Sequence, residues 1–188
     1  MASKHHWDEK ILDGFAPSVS YVMRICTSHL ATIVDRYGNS VPPPPGGFAA
    51  DGPGFDAMLE SGLMHLRSLD DFFRGSGGRG PAPDMRANDW FASLPQQDQW
   101  KPKYWLDPRV RSLIDWNVVH LSTLRTMAMS TASPQWQLAD YGDALCSECE
   151  RFFDLIEQHC PARLPAFAWN PRADIQARAA LFARFVGT

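Results

Sequence analysis

The apolar residues of this chain recur every three or four positions, and no stretch alternates convincingly with a period of two. The clearest case is Pro108 to Met129, where Val110, Leu113, Ile114, Asn117, Leu121, Leu124 and Ala128 fall on one face of a helix. With no strand pattern to supply a sheet, such stripes must be buried against one another. The expected fold is therefore all-α, a bundle of helices. At 188 residues, 45% of them hydrophobic, residues 1–188 suffice for one well-buried core and are too short for two, so a single domain is expected.

The same reading along the chain gives four long helices and a terminal one, hence a bundle of four to five. Trp7 to Tyr37 is the first, with Pro17 placed to start its main part after a short opening turn. Phe55 to Arg74 is the second, capped by Asp51, stopped by Gly75, and carrying Leu59, Gly62, Leu63, Leu66, Leu69 and Phe73 inward. Arg67 and Asp71, four apart, read as a solvated pair of little energetic weight. Pro134 to His159 follows the Pro108 helix, with Ser133 as cap, and Asp174 to Val186 closes the chain. The connections are long and rich in proline, glycine or aromatic residues. Gly38 to Gly54 holds the run Pro42 to Pro45, read as a surface connector in preference to a docking ligand. Gly75 to Pro83 is a loop, and Asp84 to Phe91 is a short helical turn. Ser93 to Leu106 is irregular, with Trp100, Tyr104 and Trp105 interleaved with Lys101 and Lys103. Such a stretch can stack and neutralise a nucleotide, but rings packed over the core are the preferred reading.

A net charge of −3, with no Lys/Arg run of five, gives no broad basic field for non-specific nucleic-acid binding, though a local basic patch remains possible. No apolar run approaches the length of a transmembrane helix, and the start MASKHHWDEK lacks the apolar stretch of an export signal, so no membrane and a cytoplasmic location are expected. A disulfide framework is then not expected of Cys26, Cys146, Cys149 and Cys160. Cys146-x-x-Cys149 could bind zinc or be redox-active. It lies mid-helix on one face with Phe153, Ile156 and Cys160, and buried thiols acting as small hydrophobes are the preferred account. Walker, dinucleotide-binding and Ser-His-Asp elbow motifs are absent from the sequence.

Chemistry is expected at histidines set on apolar faces. His65 and Asp70 lie among the inward leucines of the second helix, and His120 lies at the edge of the Pro108 stripe, three residues after Asn117. If those two helices are neighbours, both imidazoles meet in the bundle interior. There they would hold iron or zinc with open positions, or act as general acid and base near neutral pH. His65, His120 and Asp70 are thus the candidate catalytic residues, with His65 and His120 the candidate metal ligands. Asp70 would orient or charge-balance one imidazole. Asn117 and Arg125 would contact substrate, with Asp84, Arg86 and Asp89 closing over the site from the short turn. The alternative is a pair of core histidines, each hydrogen-bonded to a neighbour. The Glu-x-x-His pairs of ferritin-like di-iron proteins and a His-x-x-x-His on one helix are both missing.

Arg24-x-x-x-x-His29 resembles the catalytic motif of HEPN-type RNases, which are helical bundles of about this size, and Asn117-x-x-His120 followed by Arg125 resembles the polar helix of that group. In the family the motif lies on a late helix, whereas Arg24 and His29 lie on the first. The segments from His65 to Phe73 and from His120 to Arg125 also resemble a pattern in uncharacterised bacterial helical proteins, which carries no activity to transfer. The resemblance implies RNA as substrate. The full expectation is a small bacterial enzyme with a histidine-centred site, acting on RNA or, with metal, on a small molecule. The rival is a non-catalytic helical binding protein acting as a homodimer, which would leave an apolar face such as that of Asp174 to Val186 uncovered by its own chain.

Overall fold

The structure is a computed structural model and describes residues 7–41, 53–75, 85–115, 136–167 and 171–187. It is mostly helical, as the periodicity demands. Helix α1 (Glu9–Tyr37) is capped by Asp8, whose carboxylate accepts the Lys10 N–H at 3.0 Å. Pro17 lies inside α1 and does not divide it, so the expected short opening turn and the main helix are one element. The apolar face of α1 is sealed by Leu12, Ala16, Met23, Cys26, Leu30, Ile33 and Val34.

Helix α2 (Pro53–Arg74) runs antiparallel to α1. The Tyr37 ring meets Phe55 edge-on at 4.8 Å, and the Cys26 thiol donates to the Gly62 carbonyl at 3.3 Å. Gly62 is a point of close approach, since a Cβ there would stand 3.3 Å from Leu30 and 3.5 Å from the His29 Cβ. Leu59, Leu63, Leu66, Leu69 and Phe73 are buried as expected, joined by Phe72. Gly75 ends the helix in the left-handed region, at φ 66°, where a side chain would be strained.

A 3-10 turn (Ala87–Phe91) buries Trp90 and Phe91. Helix α3 (Pro108–Ile114) starts where expected, with Asp107 accepting the Arg109 N–H at 2.7 Å. Helix α4 (Leu138–His159) begins four residues later than expected, because Trp136–Gln137 is drawn into a two-residue strand, β2, pairing antiparallel with β1 (Ser40–Val41). The ladder is only two residue pairs long and leaves the chain all-α in class, as expected. The expected caps Ser133 and Asp51 lie outside the described residues. The α4 cap comes instead from Asn39, buried at the end of α1. Its carbonyl takes the Leu138 N–H at 3.0 Å, its side-chain oxygen the Ala139 N–H at 2.8 Å, and its amide donates to Gln137 and Asp140 at 2.9 and 3.0 Å.

A second 3-10 turn (Pro161–Ala166) leads to helix α5 (Pro171–Ala183), which packs on α1 and α4. Its Ile175 and Phe182 are wholly buried against the chain itself, whereas Leu181 and Phe185 are half-buried and Val186 is exposed, so the stripe is covered in part. Phe182 fits because Gly142 of α4 has no side chain: a Cβ there would come within 2.6 Å of three ring carbons. Phe152 of α4 is the centre of the aromatic core, meeting Phe72, Phe73, Trp90, Phe91, Trp100, Phe153 and Phe167 at centroid distances of 5.4–6.2 Å.

Candidate functional site

Where α1 crosses α2 at Gly62, two histidines come together. His29 of α1 and His65 of α2 are both partly buried, and each loses basicity through that burial. His29 is lowered further by charge on His65, which places the two imidazoles within electrostatic reach of each other. The Nδ1 of His29 is sealed from solvent and has no hydrogen-bond partner among the described residues. A buried ring nitrogen of that kind costs free energy unless something occupies it. The apolar-face pattern of the sequence pairs His65 with His120. His120, Asn117, Arg125 and Asp84 all lie outside the described residues. The partner that the described residues supply is His29, already conspicuous as the histidine of Arg24-x-x-x-x-His29.

Asp70 is fully buried, and both its oxygens face arginines. Arg111 of α3 donates to one at 2.5 Å, and Arg74 approaches the other at 3.2 Å, off the line of a hydrogen bond. The carboxyl is nevertheless held above the ordinary carboxylate range, because burial outweighs the help of Arg111 and Arg74. Arg111 also donates to Asp71 at 2.6 Å, Arg67 bonds Asp71, and Arg67 reaches Asp115 at 2.7 Å. The Arg67–Asp71 pair expected to be solvated thus belongs to a partly buried network that fastens α3 to α2. Among the described residues Asp70 serves that network, and the cause that lowers His65 is burial, with no carboxylate opposing it.

Arg86 and Asp89 form the start of the first 3-10 turn: the Asp89 carboxylate accepts the Arg86 N–H at 2.7 Å, and the Asp89 N–H returns to the Arg86 carbonyl at 2.9 Å. They hold the turn that buries Trp90 and Phe91. Arg24 and His29 do not share a groove, for five residues carry the chain about 140° round a helix. Arg24 is exposed on the α5 side, where its carbonyl accepts Arg178 at 3.1 Å, while His29 faces α2.

Cys26, Cys146 and Cys149 are buried where α1 meets α4, close enough that Cys146 raises the pKa of Cys26 and both raise that of Cys149. Burial is the larger cause, and it pushes Cys146 up to about 12. Protonated thiols in the core are small hydrophobes. Among the described residues no group of three or more histidine, cysteine, aspartate or glutamate side chains could hold a metal ion, and no helix is long and apolar enough to cross a membrane. No family model matches the chain, and comparison with curated proteins and with solved structures gives no match.

Proposed function

We propose that the chain is a small enzyme working by proton transfer at the imidazole pair His29 and His65, within one cytoplasmic bundle of four to five helices. The observation that carries this reading is the buried, partnerless Nδ1 of His29 beside a second imidazole. Both rings titrate below the ordinary 6.5, so near neutral pH they are mainly uncharged, and a proton on His65 disfavours one on His29. The singly protonated pair, a minor form near neutral pH, offers a base and an acid in one step, with uncharged His29 taking a proton and protonated His65 giving one. RNA is the substrate class in keeping with such a pair. His29 removes the proton of a 2′-hydroxyl, that oxygen attacks the adjacent phosphorus, and His65 protonates the departing 5′-oxygen. The metal-assisted form of the reading needs a third ligand, for which His120 is the sequence candidate, with iron or zinc as the ion.

A fluorogenic RNA offered to wild type and to the His29→Gln and His65→Gln variants tests this. Cleavage by wild type and its loss in both variants, with melting temperatures kept, is the expected result. Intact RNA would remove this chemistry. Stoichiometric iron or zinc that is lost from a His65→Ala, His120→Ala variant would move the reading to the metal form.

A second reading, a binding protein acting as a homodimer, is favoured by one observation. Ile11 and Phe15, four apart on α1, are 42% and 46% exposed, and Met64 on α2 is 49% exposed. Under it the histidine variants lose stability and no activity is found to lose.

A further inference from the structure

The segment from Trp100 to Leu106 divides the two outcomes open to it in the sequence. Trp100 is buried, stacked between Phe73 at 5.5 Å and Phe91 at 6.4 Å, and its indole N–H donates to the Phe73 carbonyl at 2.7 Å. Trp105 also turns inward, edge-on to Phe73 at 6.3 Å. Between these two anchors Lys101, Pro102, Lys103 and Tyr104 all stand in solvent. Tyr104 is 80% exposed, the most exposed large apolar side chain among the described residues.

This exposure is built. Arg151 lies over the Trp100 ring at 3.5 Å and donates to the Lys101 carbonyl at 3.0 Å. Arg74 donates to the Leu106 carbonyl at 2.7 Å and lies under the Tyr104 ring at 4.5 Å. The segment is therefore pinned at both ends by an arginine and an indole, and one face of Tyr104 is backed by a guanidinium. Three carboxylates around the segment are engaged: Asp107 caps α3, Asp70 faces Arg74 and Arg111, and Glu148 pairs with Arg151, while Asp98 is half-buried ahead of Trp100. Lys101 and Lys103 have no ion pair among the described residues.

We propose that this segment is a docking platform for single-stranded nucleic acid, a base stacking on the open face of Tyr104 while the flanking phosphates meet Lys101 and Lys103. An exposed ring beside cations is what such ligands need, because every base has a π-face and every nucleotide a charge. The platform stands on its own geometry and does not depend on the imidazole pair being catalytic.

Anisotropy of a fluorescein-labelled oligouridine, and of its oligothymidine counterpart, measures this on the full chain. Wild type is expected to bind at low salt and to weaken as salt rises. Tyr104→Ala should weaken binding about tenfold and Tyr104→Phe should restore it. Lys101→Ala with Lys103→Ala should lower the salt dependence by about two phosphates' worth. Tighter binding of the uridine strand identifies RNA as the ligand, and equal binding a generic single strand; either supports the platform. No binding at low salt, or binding that Tyr104→Ala leaves unchanged, overturns it. All three substituted side chains are exposed, so unchanged melting curves will show that the variants fold.

Discussion

Asp70 on α2 is sealed from solvent with its carboxylate 2.5 Å from the guanidinium of Arg111 on α3. Removing one partner of a buried pair leaves the other uncompensated, at a cost of about 3–5 kcal/mol when both are dry. Arg111 is 18% exposed, so water offsets part of this. Arg111→Met is expected to cost about 2 kcal/mol in urea unfolding. Asp70→Leu combined with Arg111→Met should recover much of that loss. A single variant as stable as wild type would mean that α3 is held by its apolar contacts alone.

The imidazole pair sets a pH dependence. Both histidines have folded pKa values below the ordinary 6.5, so the unfolded chain binds protons that the folded chain refuses. Their contribution is present above 6.5 and is lost as pH falls through the folded values. Asp70 acts with the opposite sign, since its raised pKa makes its ionisation a cost that acid relieves above the ordinary 3.8. The difference between wild type and a His29→Gln, His65→Gln variant isolates the histidines. The wild type should lose melting temperature faster between neutral pH and pH 5.5, and parallel curves would show that the rings are not strained by burial.

Gly142→Ala tests the contact between α4 and α5. The added methyl would overlap the Phe182 ring, whose carbons lie 2.5–2.6 Å from the Cβ position. The ring is wholly buried and has nowhere to retreat, so a loss of about 2–3 kcal/mol is expected by thermal or chemical unfolding. The variant Gly142→Ala, Phe182→Leu should be more stable than Gly142→Ala alone, although leucine fills less of the core.

Thiol chemistry offers a quick check of the core. Cys26, Cys146 and Cys149 are buried with pKa values pushed up, and Cys160 is only partly buried. An aromatic disulfide reagent at neutral pH should titrate at most one cysteine in the native protein and all four after denaturation. Rapid labelling of two or more native thiols would show that the α1–α4 contact opens.

The helices were legible because burial follows the 3.6-residue repeat. Leu59, Leu63, Leu66, Leu69 and Phe73 could be assigned inward from spacing alone, as could Leu138, Leu145, Cys149, Phe152 and Ile156. What spacing does not encode is which helix lies beside which. His65 could be placed at an apolar face, but its neighbour His29 becomes visible only once Gly62 lets α1 and α2 approach. The motif Arg24-x-x-x-x-His29 contains the histidine that faces α2, although its two residues point apart. The spacing of Arg67 and Asp71 hides their network for the same reason, since their partners Asp115 and Arg111 lie 48 and 40 residues away. Asn39 carries no local signal: an asparagine after a helix-ending glycine reads as a turn, and its role depends on residues about a hundred positions later.

That role bears on how the chain assembles. The first turn of α4 receives its cap from the far end of α1, so the helix start is completed by residues made long before it. During synthesis Asn39 is already in place when Leu138 emerges, and α4 can be finished against a template. A fragment beginning after Val41 would have the whole α4 sequence and lack the group that tells it where to begin, so its register and its opening turn would be left to water.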